Sequence, residues 1–414
     1  MRMKKIDVLL FEALFLLVAG TIVARVAGLK SISSLMFMTT IPVTVLLWLS
    51  SLSEGLDKTD WIMLSAVGLA VLSIIINLAA HLLAGDPGVG GSYFKKVIMF
   101  VLSLMFLQTC NKMRAPGILR ELLHLLSSAL VVILTVAHLL FRNQMHTLND
   151  RITKYSPFNF SNPNLAAIFF TCIFMLEVIR LLTVREQWKQ ILHAVLAALM
   201  AYFVFDTRSR NGLLVTLLFL AAVICVVLRK QIREKIRITV PRRINLPVAA
   251  VISLIPAAFA VVYMSLIGGE WVYKVFAFLE DKGKKLDSRV KKWSPAFEAI
   301  REQPLFGDFY GISEGTGTGH MHNSHIDMAA SYGLPVMILV CVLLTIYIWQ
   351  RGKRYKKQSE MLYMIAFCCV LMLGIFEAVM FSGGMAAYVF MGAFLLLSGP
   401  EYRKGRLETN HEAD

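Results

Sequence analysis

Residues 211–243 read NGLLVTLLFLAAVICVVLRKQIREKIRITVPRR: eighteen residues without a charge, then seven Lys and Arg between Arg229 and Arg243. As a helix the first part is about 27 Å long at 1.5 Å per residue, close to the ~30 Å hydrocarbon core of a bilayer. A basic segment at the end of such a run marks the cytoplasmic side. The same alternation extends along the chain in both directions. Apolar runs lie near 7–25, 31–52, 61–84, 97–111 and 121–141, then near 164–184, 190–205, 211–228, 246–267, 330–350, 361–382 and 385–400. The expected fold is all-α, a polytopic membrane protein of about twelve transmembrane helices forming a single membrane domain over 1–414.

Twelve spans put both termini on one side, and the basic residues choose it. With the termini inside, 25 Lys and Arg fall on the cytoplasmic face, against nine in the short loops of the other. The long 268–332 segment holds eight more, but loops of that length carry little topological weight. Both termini are therefore expected in the cytoplasm, with the chain in the inner membrane. The basic 229–243 and 351–357 loops bracket 268–332, so its outward placement does not depend on the N-terminal half. Two outward segments follow from this: 142–164 and the extracytoplasmic loop 268–332, the longest interruption of the apolar pattern.

The composition agrees with lipid as the solvent. Of 414 residues 57% are hydrophobic, and the net charge of +15 comes from clusters between apolar runs. No basic stripe with interleaved aromatics exists, so a nucleic-acid partner is not expected. Met1 to Lys5 leads into an apolar run without a small-residue cleavage site, so the first span is expected to remain. Cys110, Cys172, Cys225, Cys341, Cys368 and Cys369 lie in or at the ends of apolar runs and form no CxxC pair, which predicts neither disulfides nor a cysteine metal site.

Several polar groups stand out against this background. Asp206-Thr207-Arg208-Ser209-Arg210-Asn211-Gly212 sits at an outward junction between two spans, placing Arg208 and Arg210 at headgroup level. Two guanidinium groups there suit a phosphate or diphosphate, which the planar fork grips in bidentate fashion. Simple snorkelling or a pair with Asp206 is the alternative. In the long loop, Trp293, Phe297 and Ile300 recur at helical spacing, predicting an amphipathic helix along the membrane surface with Pro295 tolerable only near its first turn. Arg289 then falls near that helix's start. Gln303-Pro304-Leu305-Phe306-Gly307 reads as the turn that ends it, and the glycine-rich 311–319 permits close approach to a ligand.

His320, His322 and His325 fall within six residues, just before the apolar pattern resumes. They fit a general base near neutral pH, a metal site, or structural imidazoles at a helix start. Asp327 could add a ligand, but the spacing matches no familiar zinc pattern, and no metal is expected. Glu12, Glu177 and Glu377, with His81, His124, His138 and His193, lie inside apolar runs. Structural pairing is expected of them, Glu177 with Arg180 at i,i+3.

The ordered set of Thr207, Ser209, Arg210 and Gly212, then Arg289 and Trp293, then Pro304-Leu305-Phe306-Gly307, then His322-Asn323 with Gly333 eleven residues beyond, resembles the O-antigen ligase and O-antigen polymerase superfamily. Asn162-Pro163-Asn164 before a span fits as well, and the motif region covers 160–335. The resemblance implies a glycosyltransferase of cell-surface polysaccharide synthesis. Its donor would be an undecaprenyl-diphosphate-linked oligosaccharide, its acceptor a glycan or lipid-linked glycan, with membrane lipid as surroundings and no cofactor. It implies that Arg210 and Arg289 hold the donor diphosphate while His322 orients or deprotonates the acceptor hydroxyl in an inverting, metal-independent transfer on the outer face. Arg208, Asn323, Trp293 and His325 are then expected to touch substrate. A transporter or lipid-linked glycan flippase is the competing class. It predicts pseudo-symmetric halves and a charged midplane site, neither of which is evident.

Overall fold

The computed structural model describes residues 3–26, 29–84, 91–141, 145–148, 151–155, 163–228, 244–266, 287–309, 321–353, 355, 357–375, 377 and 385–400. Five long helices open the chain: α1 (Lys5–Val26), α2 (Lys30–Ser51), α3 (Lys58–Leu83), α4 (Gly91–Lys112) and α5 (Gly117–Phe141). A short antiparallel hairpin, β1 (Met145–Leu148) and β2 (Arg151–Tyr155), holds the strands found among the described residues. Then come α6 (Pro163–Thr183), α7 (Gln187–Asp206), α8 (Arg210–Val227) and α9 (Leu246–Leu266). The C-terminal part holds α10 (Asp287–Glu302), α11 (Ser324–Tyr332), α12 (Leu334–Gly352), α13 (Gln358–Leu373) and α14 (Met385–Leu397).

A helix thus occupies all or part of each of the twelve apolar runs, that at 361–382 as far as Leu373, and eight helices among the described residues are long and apolar enough to cross a membrane. They leave side chains such as Leu139, Leu140, Ile191, Val195, Leu217 and Val251 exposed. Water would penalise such surfaces at ~25 cal/mol per Å², whereas lipid does not, and the chain is an integral membrane protein. The expected 330–350 run is interrupted. Gly333, at φ +91°, separates α11 from α12, and Pro335 opens the new helix.

Polar contacts inside the bundle explain its register. Asp57 caps α3 by accepting from the amides of Thr59 and Asp60, while Asp60 accepts from the Asp57 amide. Arg351 of α12 donates to the carbonyls of Cys110 and Met113 at 2.6 and 2.9 Å, closing the last turn of α4. Ile244, just before α9, donates its amide to the Gly352 carbonyl at 3.0 Å. These contacts bring the start of α9 and the ends of α4 and α12 together at one end of the bundle. Helix α12, about 28 Å long by its nineteen residues, carries the chain from there to Gly333 at the other end.

Helices α6 and α8 approach closely along small residues. A Cβ on Gly212 would stand 2.7 Å from the Ala167 Cβ, and the hydroxyls of Thr171 and Thr216 meet one turn further at 3.3 Å. This approach fixes where the first residues of α8 sit.

Three expectations change. Glu177 pairs not with Arg180 but with His193, whose Nδ1 is 2.7 Å from Oε2, and Ser127 and Ser128 donate to the same carboxylate. Arg180 reaches back to grip both oxygens of Glu121 on α5. An (i, i+3) spacing made Arg180 reachable from Glu177, but the tertiary contact between α6 and α7 supplies a better-buried partner. Pro295 lies in the middle of α10, not its first turn, because the helix begins eight residues earlier. The apolar face of α10 does not rest on lipid: Trp293, Ala296 and Ala299 are buried against Ala260 and Tyr263 of α9 and Ile326 and Ala330 of α11. The glycine-rich 311–319, His320 and the 268–286 part of the long loop lie outside the described residues.

Candidate active site

The first turn of α11 is built by Asn323. Its extended backbone ends the incoming segment, and its Oδ1 accepts from the amides of His325 and Ile326, both at 3.0 Å. Its Nδ2 donates to the carbonyls of Pro256 and Ile375 at 2.8 and 3.0 Å. Two acceptor and two donor positions are all that an Asn amide has, so this side chain is saturated within the protein. The structure places Asn323 as the joint between α9, α11 and the segment that follows α13.

His322 precedes that joint in a left-handed backbone, φ 51°, shared among described non-glycine residues only with Arg208 at φ 52°. Such conformations cost an L-residue about 1 kcal/mol or more and collect at functional sites. The imidazole Nδ1 lies 3.0 Å from Glu377 Oε2, with the side chains 22% and 5% exposed. Asn164, in the first turn of α6, donates its Nδ2 to the other carboxylate oxygen. Ser324 then fixes the backbone around the carboxylate, donating its hydroxyl to the Glu377 carbonyl at 3.0 Å and its amide to the Gly374 carbonyl at 2.9 Å.

The same segment holds the arginine-bearing junction. Asn211 donates to the Leu373 carbonyl at 2.9 Å, so Leu373, Gly374, Ile375 and Glu377 are held by the first turns of α6, α8 and α11 together. Ser209 caps α8 through the Gly212 amide, while Thr207 bonds back to the Val204 carbonyl at 2.7 Å. Both capping residues are buried, whereas Arg208 and Arg210 are exposed. Two guanidinium groups thus stand at the positive end of a helix dipole, on the end of the bundle that carries His322.

A third support is the Pro304–Gly307 turn. Gly307, φ +61°, and Gly333, φ +91°, face one another so closely that a Cβ on Gly333 would stand 2.1 Å from the Leu305 carbonyl oxygen. The Leu334 amide donates to the Pro304 carbonyl and the Asp308 amide to that of Ala330, both within 2.8 Å. Ser73 and Asn77 of α3 donate to the Phe306 carbonyl. The motif glycines therefore serve backbone-to-backbone closure behind α11.

The remaining expected site residues fall into place around this frame. Trp293 is fully buried; its indole N–H donates to the Met321 carbonyl at 2.6 Å and its ring meets Tyr263 edge-on at 5.2 Å. It braces the residue next to His322. Arg289 is the third residue of α10, and its side chain lies outside the described residues. His325 is fully buried, and neither ring nitrogen forms a well-shaped hydrogen bond. Burial pushes its pKa down to about 4, against a smaller opposing pull from the Ser253 backbone. Asp327 is held by Lys96 of α4 at 2.9 Å, a buried pair completed by Ser331. Among the described residues no group of three His, Cys, Asp or Glu is placed to hold a metal.

Glu377 and Asn164 are the members that sequence reasoning left unassigned. Glu377 looked like one more polar residue near the end of an apolar run, 55 positions from His322. Nothing in spacing joins residues so far apart. The only available signal was that a carboxylate beside Ser382-Gly383-Gly384 lay at the same predicted end as the histidines.

A comparison with protein families matches residues 195–341 to the O-antigen ligase family. A comparison with curated proteins gives no match. The family match spans α8 to α11 and much of α7 and α12, and so includes Arg208, Arg210, Arg289, Trp293, His322, Asn323 and His325. Asn164 and Glu377 lie outside it.

Proposed function

From the match to the O-antigen ligase family, which supports a place in the O-antigen ligase and polymerase superfamily for this membrane protein, we propose an inverting glycosyl transfer without a metal. The donor is a glycan on undecaprenyl diphosphate, the acceptor a glycan or lipid-linked glycan, and the site faces outward from the inner membrane. The observation that carries this reading is the contact of His322 Nδ1 with Glu377, 3.0 Å, beside the junction bearing Arg208 and Arg210.

The chemistry follows from what each group can do. A sugar hydroxyl attacks poorly unless a base takes its proton, and imidazole is the side chain that accepts one near neutral pH. With Glu377 as acceptor at Nδ1, the His322 lone pair is on Nε2. The acceptor oxygen bonds to the anomeric carbon, its proton passes to Nε2, and the bond from that carbon to the diphosphate oxygen breaks with its electron pair leaving on phosphate. Arg210 and Arg289 hold the diphosphate and stabilise the charge that develops there, with Arg208 as an additional contact. Asn323 and Trp293 act as positioning groups, since their polar atoms are occupied by Met321, Pro256, Ile375 and the first amides of α11. His325, kept neutral by burial, supports α11 from behind. Twelve spans with both termini cytoplasmic remain the proposed topology, 1–414 as one membrane domain.

The test uses the purified chain in lipid, given the diphosphate-linked glycan and chelator. Transfer should persist in the wild type and be lost in His322→Ala and Arg210→Ala. Undiminished transfer by either variant refutes the mechanism. A ladder of product lengths identifies a polymerase, a single shift onto a different acceptor a ligase.

A further inference from the structure

We infer that Asn164 is a positioning residue for the transfer reaction: its amide occupies one oxygen of Glu377, turns the other onto His322 and thereby fixes which nitrogen of His322 takes the acceptor's proton. The inference rests on the assignment of His322 as base. It starts from a chain of contacts between three separate parts of the sequence, Asn164 Nδ2 to Glu377 Oε1, and Glu377 Oε2 to His322 Nδ1 at 3.0 Å.

The logic is one of donors and acceptors. A neutral imidazole carries its proton on one nitrogen and a lone pair on the other, and its neighbours decide which. If Glu377 were protonated, its O–H could face Nδ1, which would then be the acceptor, and Nε2 would carry the proton and could take none from substrate. The Asn164 N–H donated to Oε1 leaves Oε2 to face Nδ1 as an acceptor. With both oxygens accepting, the proton belongs on Nδ1 and the lone pair on Nε2. An Asn performs this without adding charge. An Asp there would compete with the carboxylate, and a Lys would neutralise it.

The surroundings hold this chain in place. Asn164 lies in the first turn of α6, the helix locked to α8 through the Gly212 contact with Ala167. Glu377 is 5% exposed in its side chain, and its backbone is bonded to Ser324. The charged groups on the elements around it are Arg208 and Arg210 at the start of α8, Asp327 tied to Lys96, His81 beside Asp308, and Glu298 with Arg301 on α10.

The test measures initial transfer rates of the full-length protein in lipid across pH 5–9, for wild type, His322→Ala, Asn164→Ala and Asn164→Asp. Asn164→Ala should lose kcat on the order of ten- to a hundredfold, the scale on which hydrogen-bond partners behind a working imidazole act, with donor KM within about twofold. Asn164→Asp keeps the shape but brings a carboxyl group beside the pair. Its negative charge favours protonated His322, so the acid limb of the rate profile should move to higher pH. A wild-type kcat in Asn164→Ala overturns the inference, as does an acid limb in folded Asn164→Asp that coincides with the wild type. Should Asn164→Ala fail to fold, the near-isosteric Asp variant decides. Activity retained by His322→Ala would instead overturn the base assignment itself, which separates the two failures.

Discussion

Two histidine–glutamate pairs stand among the described residues, and the contrast between them shows how surroundings divide identical chemistry. Glu177 and His193 meet at 2.7 Å between α6 and α7, with side chains 0% and 9% exposed, and Ser127 and Ser128 of α5 occupy the rest of the carboxylate. Glu377 and His322 meet at 3.0 Å, with the imidazole 22% exposed, on a left-handed backbone and on the arginine-bearing end of the bundle. In the inner pair three helices close around a carboxylate that no substrate reaches. The outer pair presents an imidazole oriented from behind. Burial and backbone conformation, not residue type, separate the sealed pair from the one proposed to take the acceptor's proton.

The largest effect that would break this contrast is on rate. His322→Ala should lower kcat by roughly 10²- to 10⁴-fold, the usual contribution of a positioned base, with the melting temperature within a few degrees of wild type. His193→Ala should leave kcat per folded molecule within a factor of about three. If the two variants lose activity equally while remaining folded, the division between sealed and open pair is wrong.

Stability gives the converse measurement. Glu177→Ala strands three donors, two of them buried, without their shared acceptor, and breaking such a network costs about 3–5 kcal/mol. Thermal unfolding in detergent should fall accordingly, whereas Glu377→Gln, which keeps the shape of the buried side chain and one acceptor oxygen, should cost about 1 kcal/mol. A Glu177→Ala protein as stable as wild type would show that the inner network contributes little.

His325 sharpens the comparison by showing a histidine with no carboxylate at all. Its folded pKa is pushed to about 4, below the ~6.5 of an unfolded chain. Between those values the unfolded chain binds a proton that the folded chain refuses. Stability is therefore lost as pH falls from about 6.5 to 4, by about 3 kcal/mol if burial alone acts. Unfolding measured at pH 7 and pH 4.5 should show the drop in wild type and a smaller one in His325→Leu. Identical pH dependence in both proteins would remove His325 as the cause.

How much of this was legible in the sequence follows from the kind of force involved. Hydropathy is local, so the apolar runs located the helices, though not the break at Gly333 or the end of α13 at Leu373, and the turn at Gln303–Gly307 was visible from its Pro and Gly. The arginines and His322 were singled out because motif order survives in one dimension. The partner of His322 was not, since Glu377 approaches through tertiary packing of α6, α8, α11 and α13. The same reason explains why Asn323 and Trp293 were read as substrate contacts: a polar or aromatic motif residue looks alike in sequence whether it faces a ligand or a carbonyl. Pro295 was misplaced in its helix because the apolar spacing of Trp293, Phe297 and Ile300 begins later than the helix does.

The smallest expected effect concerns the other left-handed residue. Arg208 holds φ 52° between the end of α7 and the cap of α8, a conformation that costs most L-residues about 1 kcal/mol and glycine almost nothing. Arg208→Gly and Arg208→Ala both remove the guanidinium, so both should raise donor KM alike. They should differ in stability, with the glycine variant higher by about 1 kcal/mol because only alanine keeps the strain. Equal stability would mean that the turn relaxes when the arginine is gone, and that the left-handed backbone is imposed by the side chain rather than by Thr207 and Ser209 on either side. A preserved difference with a raised KM would place the strain in the scaffold and the binding in the guanidinium. The donor end would then follow the same rule as the base: a costly backbone geometry retained where an exposed charged or titratable group must point at substrate.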